Sequence, residues 1–310
     1  MLKYIGKRFL MMIPVLLGIS FILFTIMDLT PGDPARAMLG EYAPQQEVDK
    51  LRDELGLNDN FFIRYGRYVL NALQGDLGTS YRTNTPAIEE IKARFPATLK
   101  IALLAVLIAI AIGIPVGIVS AVKQYSFTDI ASMMSALLFT SVPPFWLGLM
   151  MILLFSVQLR ILPAVGSDTW KHFLMPAAAM AAAQMATLIR MTRSTMLEVI
   201  RQDYIRTAKS KGAPPRRVIF RHSLQNALLP VVTAVGISFS NLLGGALIIE
   251  NVFGISGLGT LMVDSVKGKD SPMLIASVMF AAFVGGLVNL LVDVMYIYID
   301  PRVKSLYVKG

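Results

Sequence analysis

The chain has 310 residues, of which 55% are hydrophobic and only 16% charged. Soluble domains carry about 25% charged residues, so a deficit this large makes lipid part of the solvent. The formal net charge is +9, yet basic and aromatic residues do not interleave as a base-stacking surface requires, which argues against nucleic acid as a partner.

The absence of cysteine removes disulfides, thiolate metal sites and cysteine nucleophiles together. The two histidines, His172 and His222, lie far apart and have no partner at zinc-site spacing.

A spanning helix needs roughly 20 mostly apolar residues. Six stretches qualify: Phe9–Leu29, Leu99–Val122, Ile130–Val157, Phe173–Thr192, Ala227–Ile249 and Leu274–Ile299. The expected fold is therefore an all-α membrane protein of about six transmembrane helices. The first stretch follows Lys3, Lys7 and Arg8 as a signal peptide would, but it exceeds the roughly 7–15 apolar residues of a signal core. It reads as a retained helix over residues 1–29.

Residues 30–98 read as a small extracytoplasmic cap. Val48, Leu51 and Leu55 give an amphipathic helix over Gln45–Leu55 that Gly56 ends. A second helix is expected from Phe61 to Leu73, and its aromatic residues argue against disorder. In the third span Pro143-Pro144 predicts a kink, beside a solvated path or for packing alone.

Basic residues set the orientation. They gather at the N-terminus, in the loop between the fourth and fifth spans, and at Arg302, Lys304 and Lys309. With six spans these three places share one side, so both termini are expected to be cytoplasmic. The loop 193–226 is too apolar to be a tether. Val199, Ile200, Tyr204, Ile205 and Ala208 suit one short helix, and Gly212 with Pro214-Pro215 breaks it. Val218, Ile219, Leu224, Leu228 and Leu229 begin a second helix leading into the fifth span.

The run Tyr204-Ile205-Arg206-Thr207-Ala208-Lys209-Ser210-Lys211-Gly212, followed by Arg221-His222-Ser223-Leu224-Gln225-Asn226-Ala227-Leu228-Leu229-Pro230, resembles the signature loop of dipeptide and oligopeptide ABC importer permeases. In permeases generally this loop has a Glu-Ala-Ala triplet before its glycine. Here the triplet is Arg206, Thr207 and Ala208, which resembles the peptide-family variant. Leu29-Thr30-Pro31-Gly32-Asp33-Pro34, Gly75-Asp76-Leu77-Gly78-Thr79-Ser80, Glu250-Asn251-Val252-Phe253-Gly254-Ile255-Ser256-Gly257-Leu258-Gly259 and Asp293-Val294-Met295-Tyr296 with Asp300-Pro301-Arg302 are similar to that family in the same order.

The resemblance implies a bacterial or archaeal plasma-membrane subunit. It implies a second permease as heterodimer partner, two cytoplasmic ATPases and an extracytoplasmic substrate-binding protein. It assigns ATPase coupling to Tyr204, Ile205, Arg206, Thr207, Ala208, Lys209, Lys211 and Gly212. The chain has no G-x-x-x-x-G-K-[ST] loop of its own. ATP and Mg are therefore expected on partner subunits, and no cofactor, metal or catalytic residue on this chain.

Ser141, Pro143, Ser238, Ser240, Asn241 and Asn289 are candidates for the translocation path, although membrane helices also use such residues as interhelical hydrogen bonds. An ion-coupled transporter would keep charge in mid-membrane; Asp28, Arg190 and Asp293 lie toward span ends, with Asp293 the rival's best residue. An intramembrane enzyme lacks a visible nucleophile–base pair.

Overall fold

The computed structural model describes residues 2–40 and 42–299, and the backbone is helical almost throughout. The motif Asp300-Pro301-Arg302 and the basic C-terminal residues lie outside the described residues. Five helices are long and apolar enough to cross a membrane, and a bent pair makes a sixth candidate span. In lipid the backbone must satisfy itself, so helices are the form that such apolar stretches take.

The chain divides into two compact units, each with its own core. One holds residues 2–98 and 256–286, the other residues 99–255 and 287 onward.

The first unit begins with α1 (Leu2–Leu29), which starts seven residues before the apolar stretch, at the basic end. Helix α2 (Pro34–Leu39) was not visible in the hydropathy. It exists because Asp33 caps Ala35 N–H and Pro34 takes the first helical position. Helices α3 (Gln45–Glu54) and α4 (Phe61–Leu73) fall where periodicity and turn residues put them. Gly56 at φ +64° closes α3, with Leu57 N–H reaching back to Arg52 C=O.

Helix α4 returns along α1. Phe21 and Phe24 meet Phe61 and Tyr65 edge to face, Tyr65 Oη donates to Leu17 C=O, and Arg64 pairs with Asp28. Asp28, which lies toward the end of the first span, is thus an anchor for this segment.

The second long helix, α5 (Ala87–Val122), starts twelve residues before its apolar stretch. Its first turns belong to the first unit. Ala87 and Ile91 pack there with Leu258, Leu261, Met273 and Ala276. Buried Asp270 accepts from Ser80 Oγ at 2.5 Å and from Tyr81 N–H at 3.2 Å.

In the second unit α5 is followed by α6 (Phe127–Ser141) and α7 (Pro144–Met151), the latter prolonged by a wide turn over Ile152–Gln158. The expected kink is a corner of 98° between two helices. Proline pushes the residue before it out of the helical region. Two prolines in succession act on two residues, and both Val142 (ψ 124°) and Pro143 (ψ 136°) are extended. Pro144 then opens α7, where its missing N–H costs nothing.

Helix α8 (Leu174–Ile200) is the most covered candidate span, entered through a short turn at Trp170–Phe173. It outruns the expected end at Thr192 by two turns. Val199 and Ile200 therefore finish α8 rather than begin the next helix. After a break at Arg201-Gln202 come α9 (Asp203–Ser210), α10 (Pro215–Arg217) and a wide turn over Val218–Leu224. That turn runs unbroken into α11 (Gln225–Val252). Helix α12 (Leu258–Lys267), too short for a hydropathy search, and α13 (Ser271–Ile299) complete the chain.

Helices α6, α7 and α11 all pack on α8. Its run of alanines keeps its surface low, the usual device where lipid supplies no hydrophobic drive between helices. Helix α5 reaches it through two glycines. A Cβ on Gly113 would lie 2.9 Å from Leu188 Cβ, and one on Gly117 would lie 2.6 Å from Thr192 Cβ and 2.9 Å from Ile189 C=O. A methyl group therefore has no room there. Gly244 and Gly285 have open space where a Cβ would stand, whereas a Cβ on Gly286 would meet Met12.

Gly117→Leu should lower stability by about 1–3 kcal/mol through overpacking. Gly18→Ala, in open space on α1, should stay within about 0.5 kcal/mol. Thermal melting of the two variants in detergent checks the contrast, and equal melting points would contradict the close approach.

Candidate functional site

Helix α9 is a single exposed knob with one buried peg. Ile205 is fully buried and Ala208 is half-buried, while Tyr204, Arg206, Thr207, Lys209, Lys211 and Gly212 are exposed. The knob rests against the Val218–Leu224 turn. Inside it, Thr207 Oγ1 donates to Asp203 C=O, and Arg206 lies 3.8 Å from Asp203 across solvent. Burial of its ring edge pushes the Tyr204 phenol above its ordinary range.

The end of α9 is closed by hydrogen bonds of Ala213 N–H to Ala208 C=O (3.1 Å) and Gly212 N–H to Lys209 C=O (2.9 Å). This is the reciprocal pair of a Schellman turn, and Gly212 takes the left-handed position at φ +75°. Pro214 is extended and Pro215 starts the next helix. Five residues, Lys211 to Pro215, thus end one helix and start the next. The turn carries a strong positive field, since Arg216, Arg217 and Arg221 follow it, all exposed.

The path candidates are scattered. Ser240 Oγ donates to Asn289 Oδ1 at 3.3 Å, and Asn241 is exposed beside them. Ser238 is buried. Ser141 gives its hydroxyl to Leu137 C=O and, like Pro143, is exposed at the 98° corner. A separate cleft of about 380 Å³ in the second unit is lined by apolar residues alone, among them Val106, Ile110, Val235 and Val292, and includes none of these six.

A buried polar cluster that no local pattern announces joins α5, α6 and α8. Asp129, 3% exposed, accepts from Arg193 Nε at 2.6 Å and Nη2 at 2.8 Å. Ser120 Oγ (2.5 Å) and Tyr125 N–H (2.9 Å) complete its shell. The available signal was Ser126-x-x-Asp129, a helix-start pattern before an apolar run. Ser126 indeed caps α6. Arg190 points to Thr140 Oγ1 (3.0 Å), and Asp293 has a partner of its own.

In the first unit a cavity of about 630 Å³ lies among Asp28, Arg52, Arg64, Tyr68, Tyr81 and Lys269. Burial holds the Tyr68 phenol at about 12, and burial followed by Asp270 raises that of Tyr81, so both keep their protons. Among the described residues no cluster of His, Asp or Glu could hold a metal ion.

The described residues form apolar helices long enough to span a membrane and carry one short basic helix, α9, seated on the buried Ile205. Two family models agree. Residues 113–305 match the binding-protein-dependent transport system inner membrane component, and residues 1–102 match the N-terminal part of that component. The chain belongs to this family, the permeases of ABC importers.

It is 42% identical to a dipeptide transport system permease protein of Alkalihalophilus pseudofirmus, covering 98% of this chain and 100% of the relative. It is 40% identical to a glutathione transport system permease protein of Escherichia coli, covering 98% and 99%. The fold is also similar to an inward-facing methionine ABC transporter, with a TM-score of 0.59 at 19% identity over 68% of this chain and 96% of that one.

Valine at Gly212 should strain the turn by about 1–3 kcal/mol, whereas asparagine, which tolerates the left-handed region, should cost less. Amide exchange over residues 203–213 should accelerate in Gly212→Val and change little in Gly212→Asn. Equal exchange in both would show that the turn does not need its glycine.

Proposed function

We propose that this permease forms, with a second and different permease subunit, the translocation path for short peptides delivered by an extracytoplasmic binding protein. Two cytoplasmic ATPases supply the energy, and ATP with Mg is bound and hydrolysed there. The observation that carries the coupling assignment is the form of α9: a buried Ile205, an exposed face from Tyr204 to Lys211, and a turn locked by Gly212. A motor can drive the spans only through an element that does not bend at its own ends.

The same proposal sets α9 and both termini on the cytoplasmic side, where the basic residues belong. Residues 30–98 form the outer cap, and residues 99–310 form the core, with the coupling loop at 193–226. Ser141, Pro143, Ser238, Ser240, Asn241 and Asn289 are assigned to the path. The dipeptide relative and the glutathione relative, itself named for a peptide-like solute, support a substrate of short peptide character.

Purification of the chain from native membranes in mild detergent should recover two ATPase copies and a second multi-span subunit. In vesicles that complex, given its binding protein, should take up a labelled dipeptide only when ATP is supplied. Gly212→Val should abolish uptake while leaving membrane insertion and subunit recovery at parent levels. Uptake that persists without ATP and collapses with the proton gradient would reject the proposal in favour of Asp293-based ion coupling.

A further inference from the structure

Asp129 sits where three helices meet. Ser120 comes from the last turn-and-a-half of α5, Tyr125 from the α5–α6 turn, and Arg193 from α8. Its two oxygens receive four donors, which fills a carboxylate's capacity. Two of the four come from one guanidinium in a fork, and a fork fixes angle as well as distance. Tyr125 holds a left-handed backbone (φ +63°) to aim its N–H inward.

The placement relative to α9 matters as much. Arg193 is seven residues before the end of α8, about 10 Å along a straight helix. Between it and the knob lies an apolar cluster: Ile118, Ala121, Met196 and Ala227, with Leu197 and Ile200 packed against them. Apolar contact is non-directional, so such a cluster does not by itself fix the angle at which the helices meet. The Asp129–Arg193 fork, by contrast, breaks if α6 rolls on α8. A buried ion pair is also weak evidence of stability, since desolvation offsets much of its attraction. Directional control is the use that remains.

Building on the coupling reading of α9, we infer that Asp129 and Arg193 form a positioning joint that makes α5, α6 and α8 turn as one body when a partner presses on the knob. The pair touches neither substrate nor ATP. It converts a push on α9 into movement of the corner at Val142-Pro143, which α6 carries at its far end.

The test uses the assembled complex with its ATPases and binding protein, comparing the parent with Asp129→Asn, Arg193→Gln, the double variant and Arg193→Lys. The readout is labelled dipeptide taken up per ATP hydrolysed, alongside subunit recovery and melting point. Asp129→Asn, Arg193→Gln and the double variant should each lower the ratio at least fivefold and by similar factors, because one joint is lost in all three. Arg193→Lys, which keeps charge without the fork, should restore recovery but not the ratio. A ratio equal to the parent's, or uptake falling only with the amount of assembled protein, would overturn the joint.

A substrate-independent arm separates this from the peptide reading. The chain has no cysteine, so exposed Ser135 on α6 and Ser194 on α8 can be changed to cysteine and spin-labelled in parent and Asp129→Asn. In the parent, adding ATP with vanadate should leave the distance between the labels unchanged. In Asp129→Asn it should shift or broaden. Indistinguishable behaviour would sink the joint even if dipeptide uptake fails in every sample.

Discussion

Close approach to α8 is the constraint on which the second unit rests. In lipid, helices gain little by hiding apolar surface, because the tails outside are as apolar as the side chains inside. Association then depends on how near two backbones can come. Gly113 and Gly117 bring α5 against Leu188, Ile189 and Thr192, and the alanines of α8 admit α6 and α11 on its other faces. Gly148 does the same between α7 and α11, where a Cβ would meet the Phe253 ring at 2.9 Å. Small residues thus set the framework, and the bulky ones fill what is left.

Such contacts decide distance but not direction, and the polar groups supply the direction. At one end of the spans, Asp129 ties three helices through four hydrogen bonds. Near the chain's 253–255 corner, Gly166 N–H bonds to Phe253 C=O at 3.0 Å. In the first unit, Asp270 and Asp28 perform the same office for the segment 80–81 and for α4. Each of these three carboxylates has an ion-pair or hydrogen-bond partner.

How much of this was legible depends on whether the signal was local. Gln45–Glu54 was readable from the period of Val48, Leu51 and Leu55 and from the Gly56 that ends it, and Phe61–Leu73 from its run of aromatic residues. The stop at Gly212 and restart at Pro215 were readable for the same reason. The 98° corner was only half legible: proline announces a break, but its size comes from two prolines acting in series on Val142 and Pro143. Span lengths were underestimated at α1, α5 and α8 because hydropathy marks lipid contact, not helix ends. Helices α5 and α8 simply continue past the apolar zone. The Asp129–Arg193 fork was invisible because its partners are 64 residues apart, and no pattern within either helix names the other.

The same logic explains why the knob is legible and the path is not. On the proposed reading α9 is a coupling element, which must hold its shape before any partner arrives, so its turn chemistry is written in consecutive residues. A translocation path between two subunits is rigid only in the assembly. Its lining is shared with another chain, and the side chains facing it need only be small or neutral. Ser240 and Asn289 illustrate the ambiguity: their 3.3 Å contact serves equally to hold α11 to α13 and to wet a channel wall. What separates the two uses is whether a second subunit covers that face or a solute does, and neither is a property of this sequence. On the proposed reading, specificity for one solute over another rests largely on the binding protein that delivers it and on the subunit that covers that face. Relatives named for dipeptide and for glutathione can therefore stand equally near this chain.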